Sequence, residues 1–167
     1  MHEYNPVDIL LVEDNPNDIE LTLRAFKKAR MTNNVIVTRD GKEGLDYLRE
    51  SADDATRRLP GLVLLDLNLP KLSGHEVLKA IKSDEVLARI PVIMLTASTR
   101  EEDVVRSYDL GVNTFISKPV QFTEFMKVVG TIQEYWIIIA TLPPSSLKSG
   151  RSAEAVEEEV VRRAVSF

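Results

Sequence analysis

The sequence predicts an α/β protein, a doubly wound (βα)5 unit built on a five-stranded parallel sheet with strand order 2-1-3-4-5. Three observations predict it. The run Leu62-Val63-Leu64-Leu65 is too continuously aliphatic for a half-exposed strand and reads as one covered on both faces. Short apolar runs of this kind alternate five times with segments of helical period. Connections between them are short, as right-handed crossovers in a parallel sheet require.

Val7 to Val12 is the first strand, rich in β-branched and aliphatic residues, and it ends in Glu13-Asp14-Asn15-Pro16. Asn15 is a natural N-cap and Pro16 suits the first helical position, so a helix runs from there to about Arg30. Ile19, Leu23 and Phe26 form its expected buried stripe, and Lys27, Lys28 and Arg30 suit its negative end. Asn34 to Thr38 alternates and is expected near a sheet edge. Asp40-Gly41 opens a second helix with Leu45 and Leu48 inward. Ser51 to Pro60 is a polar loop. After the third strand, Lys71-Leu72-Ser73-Gly74 leads into a helix whose buried stripe is Val77, Leu78 and Ile81.

Pro91 to Leu95 is a fourth strand, followed by Thr96-Ala97-Ser98. Thr99 is expected to cap a fourth helix with Glu101, Glu102 and Asp103 in its first turn, and Gly111 to end it. Val112 to Ser117 is the fifth strand, followed by Lys118-Pro119. The fifth helix is expected from about Gln121 to Ile139, with Phe122, Phe125, Val129, Ile132 and Trp136 along one side.

The chain has 167 residues, the size of one ordinary domain, and 44% of them are hydrophobic, enough for a proper core. A formal charge of −5 argues against non-specific binding to nucleic acid or anionic membranes. The absence of cysteine excludes disulfides, thiolate metal sites and cysteine nucleophiles. No signal peptide is visible at Met1-His2-Glu3-Tyr4, and no apolar run approaches the ~20 residues of a membrane span, so a cytoplasmic protein is expected.

Four of the five strands end in a polar residue: Glu13 and Asp14, Asp66, Thr96, and Lys118. In the order 2-1-3-4-5 those strands are consecutive neighbours, and open α/β sheets bind ligands at this edge. Taken singly, each residue has an ordinary explanation as a loop acid, turn residue, strand-end threonine or surface lysine. Their coincidence at four strand ends does not. Three close carboxylates repel one another, which a divalent cation relieves, and oxygen-only ligation points to a hard ion such as Mg²⁺. An ionised Asp66 could then attack phosphorus, with Lys118 neutralising charge and Thr96 donating a hydrogen bond.

At these residues the chain resembles the response-regulator receiver domains of two-component signalling, over about Val7 to Ile139. The resemblance implies a flavodoxin-like, CheY-like fold and specific roles. Asp66 would be the phosphoacceptor. Asp14 and Asp66 would ligate Mg²⁺ by side chain, Asn68 by its backbone carbonyl and Glu13 through water. Lys118 would contact the phosphoryl group, and its bond to Pro119 would be cis. Phe115 matches the family's switch aromatic. Ala97 would leave room for the phosphoryl group, and Asn68 and Ser98 occupy positions that tune its hydrolysis. Val12 to Phe26, Glu134-Tyr135-Trp136 and Leu142-Pro143-Pro144 are similar to single-domain regulators paired with phytochromes, which dimerise through the fourth helix, fifth strand and C-terminal region.

The expected organisation is therefore a receiver domain over 1–141 and an extension over 142–167, where Glu154 to Ala164 could form a short docking or dimerising helix. The expected partners are a sensor histidine kinase of the bacteriophytochrome class, a second copy of the chain and a downstream phosphotransfer protein, with neither nucleic acid nor membrane. Catalysis is expected only on the chain itself, its own phosphorylation and dephosphorylation. Three rival functions compete with this reading. An aspartyl-nucleophile phosphohydrolase commonly has a second Asp two residues on, where Asn68 stands. A flavin module wants Ser, Thr and Gly where Glu13-Asp14 would repel a phosphate. An adaptor would not need the full acid set.

Overall fold

The computed structural model describes residues 6–134. Five parallel strands stand in the order β2-β1-β3-β4-β5: β1 Ile9–Val12, β2 Val35–Thr38, β3 Leu62–Leu65, β4 Val92–Thr96 and β5 Thr114–Ser117. The helices are α1 Pro16–Lys28, α2 Gly41–Asp53, α3 Gly74–Ser83, α4 Glu101–Asp109 and α5 Phe122–Ile132, with a short 3₁₀ turn at Leu87–Arg89. The expected order and the edge position of β2 are therefore found.

Strand alternation divides the core in two. Leu10, Val12, Val63, Leu65 and Met94 face α2 and α3, where Leu45, Leu48, Val77, Leu78 and Ile81 meet them. Ile9, Leu11, Leu62, Leu64, Ile93 and Leu95 face the other way, onto Ala25 and Phe26 of α1 and Phe125, Val129 and Ile132 of α5. Every residue of β1, β3 and β4 is buried, so these strands have no polar face to alternate. Each fully buried Leu or Ile contributes about 1.5–3 kcal/mol of transfer free energy.

Helix starts follow local chemistry. Asn15 caps α1, its Oδ1 accepting from the N–H groups of Asn17 and Asp18 at 2.9 and 3.3 Å. Asp40 caps α2 through Glu43 N–H at 2.7 Å. Ser73 and Glu76 close a reciprocal capping box on α3, at 3.2 and 2.8 Å. Gly111 follows α4 at φ +95°, the left-handed position that glycine fills without strain.

Several expectations are corrected. Leu23 is 38% exposed, and the buried stripe of α1 is Ile19, Thr22, Ala25 and Phe26. Thr22 can be buried because its hydroxyl donates to the Asp18 carbonyl at 2.7 Å. Helix α1 stops at Lys28, and Arg30 turns left-handed at φ 57°. Thr99 does not cap α4: the cap position is Arg100, without a side-chain bond, and it is the Ser98 hydroxyl that reaches the first turn, donating to the Asp103 carboxylate at 2.6 Å. Strand β5 starts at Thr114, after the Gly111 turn has already buried Val112. The Lys118–Pro119 bond is trans, the isomer a proline amide itself favours, and no cis peptide occurs among the described residues. The expected continuation of the fifth helix through Trp136 to Ile139 and the 142–167 extension lie outside the described residues. Among those described, no helix is long and apolar enough to cross a membrane.

Candidate functional site

The parallel register aligns the strand ends. Val12 pairs with Leu65, and Asp66 N–H donates to the Val12 carbonyl at 3.0 Å, so Asp66 lies beside Glu13. Thr96 pairs with Ser117, and Lys118 N–H donates to the Thr96 carbonyl at 2.7 Å, so Lys118 leaves the sheet next to Thr96. Four connections that are distant in sequence thus open onto one edge.

There the side chains converge. Lys118 Nζ donates to Glu13 Oε2 and to Asp18 Oδ2 at 3.2 Å, and pairs with Asp66 Oδ2 at 3.6 Å. The Lys118 side chain is only 9% exposed and that of Glu13 only 2%. Glu13 Oε1 accepts from Asn15 N–H at 3.1 Å, which fixes the carboxylate to the turn before α1. Asp66 Oδ1 accepts from Leu67 N–H at 2.7 Å, leaving Oδ2 toward the ammonium. Thr96 is fully buried, and its Oγ1 accepts from Ser98 N–H at 3.4 Å. Every sequence-derived catalytic candidate, Asp66, Thr96 and Lys118, therefore reaches this edge. Asn68, Ala97 and Ser98 line a neighbouring cleft with Thr99, Arg100 and Asp103. Phe115 is half-buried on β5 and packs against the α2–α3 side of the core, its N–H donating to the Tyr108 hydroxyl at 3.3 Å.

The electrostatics follow from burial. Desolvation pushes the Glu13 carboxyl well above the usual carboxylate range, and the Asp66 charge adds to this, while Lys118 pulls it back. Burial alone would lower the Lys118 ammonium. The bond from Glu13 and the charges of Asp66, Glu13 and Asp18 outweigh it, so Lys118 is raised and stays charged.

One carboxylate oxygen each from Glu13, Asp14 and Asp66 lie within 4.8 Å of one another. The donors are all hard oxygens, and the acids are in excess over the single ammonium. The one described histidine is committed elsewhere: His75 Nε2 meets the Ser107 hydroxyl at 2.8 Å and the Asp103 carbonyl at 3.3 Å, tying α3 to α4. Burial holds that imidazole below its ordinary pKa. The residues present thus fit a hard divalent cation such as Mg²⁺.

Asp18 joins the site from the first turn of α1 rather than from a strand end. Its signal was the acid at the third position after the Asn15 cap, one helical turn from Asp14, where it turns back toward the strand edge.

A 2-1-3-4-5 parallel sheet with acids, a threonine and a lysine at its carboxyl edge defines a signalling receiver fold, and the chain belongs to the response regulator receiver domain family of two-component signalling, whose profile matches residues 9–130. Among curated relatives it is similar to the probable methanogenesis regulatory protein FilR2 of Methanothrix harundinacea, 47% identical over 80% of this chain and 85% of FilR2. It is also similar to the response regulator Rcp1 of Synechocystis, 40% identical over 83% of this chain and 94% of Rcp1. The structure of the Mn²⁺-bound form of Rcp1 superposes with a TM-score of 0.75 over 83% of this chain and 99% of that one. The phosphorylated cyanobacterial phytochrome response regulator RcpA is 45% identical, with a TM-score of 0.77 over the same shares.

Proposed function

We propose that the chain is a phosphorylation-driven regulator in which Asp66 takes a phosphoryl group from the phosphohistidine of a sensor kinase of the phytochrome class. The observation that carries this reading is the buried Lys118 ammonium held among Glu13, Asp18 and Asp66, beside the buried Thr96 hydroxyl. The names of the relatives support it, since Rcp1 was solved with Mn²⁺ and RcpA as a phosphorylated phytochrome response regulator.

Leu67 N–H engages Oδ1 of Asp66, so Oδ2 is the oxygen free to attack. The new O–P bond forms as the donor's N–P bond breaks, and the electron pair returns to the imidazole nitrogen. Lys118 neutralises charge on the transferred oxygens, and the Thr96 hydroxyl donates to one of them. Glu13, Asp14 and Asp66 would hold Mg²⁺ with the Asn68 backbone carbonyl, and the ion, when bound, supplies further neutralisation of the phosphoryl oxygens. Movement of Thr96 frees space into which Phe115 turns, remodelling the α4–β5–α5 face. That face and residues 142–167 are the proposed contact with a second copy of the chain, and a downstream phosphotransfer protein is the proposed alternative output. In this reading the receiver unit spans 1–141, the setting is cytoplasmic, and the chain turns over no external substrate.

Phosphotransfer with sizing tests this reading. A radiolabelled phytochrome-class histidine kinase is expected to lose its label to this chain faster than unrelated kinases do, with a rise in molecular mass of the labelled chain. Absence of transfer from every kinase, together with none from acetyl phosphate in Mg²⁺, would overturn the proposal.

A further inference from the structure

Lys118 presents one positive charge to three carboxylates. Two of them, Glu13 and Asp66, belong with Asp14 to the oxygen cluster suited to a divalent cation. A cation there and the ammonium compete for the same two carboxylates. The Lys118 side chain is 9% exposed, so an ammonium released from Glu13 would stand buried and unpaired, a costly arrangement. Asp18 is the third carboxylate, and it is not among the oxygens of that cluster.

Asp18 is well held. Its N–H donates to Asn15 Oδ1 at 3.3 Å, and its carbonyl accepts from the Thr22 hydroxyl at 2.7 Å, both within the first turns of α1. Its own Oδ2 reaches Lys118 Nζ at 3.2 Å across 100 residues of sequence. Asp18 also lies in the first turn of α1, at the positive end of the helix dipole. Its side chain is 35% exposed, against 2% for Glu13.

We propose that Asp18 is a positioning residue: it holds the Lys118 ammonium while Glu13 and Asp66 turn to the divalent cation, and keeps that ammonium beside the Asp66 oxygen. This rests on the reading of the Asp66 site given above. Removing Asp18 leaves Lys118 with only the cation's own ligands as partners, so the cation must displace it at greater cost.

The test is calorimetric titration of Mg²⁺ into the full chain. Asp18→Asn, and Asp18→Ser as a second neutral replacement, are expected to weaken Mg²⁺ binding by at least ~5-fold, the scale of one unit charge pair near 4 Å in water. Asp18→Glu is expected to recover most of the loss. In a Lys118→Met background, the same Asp18 replacements are expected to change the affinity by less than about two-fold, since the coupling runs through the ammonium. Equal losses in both backgrounds would overturn the inference and leave Asp18 as a remote negative charge only. Unchanged affinity in the Asp18 variants, with wild type binding Mg²⁺ and labelling normally, would overturn it while leaving the Asp66 reading intact. A wild-type chain that binds no Mg²⁺ would overturn both.

Discussion

Asp66→Asn is expected to drop labelling by acetyl phosphate or by a phosphorylated kinase to background, a loss of at least about a thousand-fold, on the scale set by removing a nucleophile. The replacement is nearly isosteric, and the amide oxygen can still accept from Leu67 N–H, as Oδ1 does at 2.7 Å. The loop should therefore keep its shape. What is lost is the anionic oxygen that faces Lys118 Nζ at 3.6 Å. Circular dichroism and thermal unfolding should stay close to wild type while labelling vanishes. Labelling of the variant at the wild-type level would mean that the nucleophile is elsewhere.

Gly74→Ala has the next largest expected effect, and it acts through packing. Gly74 is the first residue of α3, and its N–H donates to the Leu67 carbonyl at 2.7 Å. A Cβ placed there would lie 2.2 Å from the Asp66 carbonyl oxygen and 2.7 Å from Leu67 Cα. Both are backbone atoms, so no flexible side chain can move aside. The helix start must shift or the Asp66 loop must, at a cost of about 1–3 kcal/mol. Because the clash falls on Asp66 itself, the labelling rate is expected to fall by roughly ten-fold or more even where the protein remains folded. Gly130→Ala supplies the contrast. Gly130 lies inside α5, and a Cβ there meets no atom of the described residues within 4 Å. The same substitution is expected to stabilise by ~0.5–1 kcal/mol through helix propensity. Urea unfolding of the two variants measures both signs. Equal destabilisation by both would contradict this account of α3 packing.

Much of this architecture is legible in the sequence because the central strands are buried on both faces. Ile9–Val12, Leu62–Leu65 and Val92–Thr96 have no solvent side, so their apolar runs are unbroken and the parallel sheet follows. Glu13, Asp66 and Thr96 are legible for the same reason, since each is the first polar group after such a run, whereas Lys118 follows Ser117 at the end of the half-exposed β5. The errors fall where side chains satisfy one another across the fold or within a turn. Leu23 matched the apolar period of α1, yet Thr22 took the buried place because the helix backbone satisfies its hydroxyl. Thr99 has the composition of a cap, but the cap position falls at Arg100 and Ser98 is the residue that bonds the first turn, at Asp103. Asp18, on α1, meets Lys118 in the connection between β5 and α5, a pairing across 100 residues that no local pattern encodes. The buried His75 bridge to Ser107 is invisible for the same reason.

The central claim is that the phosphoryl group resides on Asp66 and nowhere else. Borohydride reduction of the freshly phosphorylated chain, followed by peptide mass spectrometry, reads this directly, since an aspartyl phosphate is reduced to homoserine while a free carboxylate is not. Homoserine is expected at position 66 alone, in Mg²⁺-dependent yield. Homoserine at Asp14 or Asp18, or labelled protein with no reduced residue at position 66, would contradict the account.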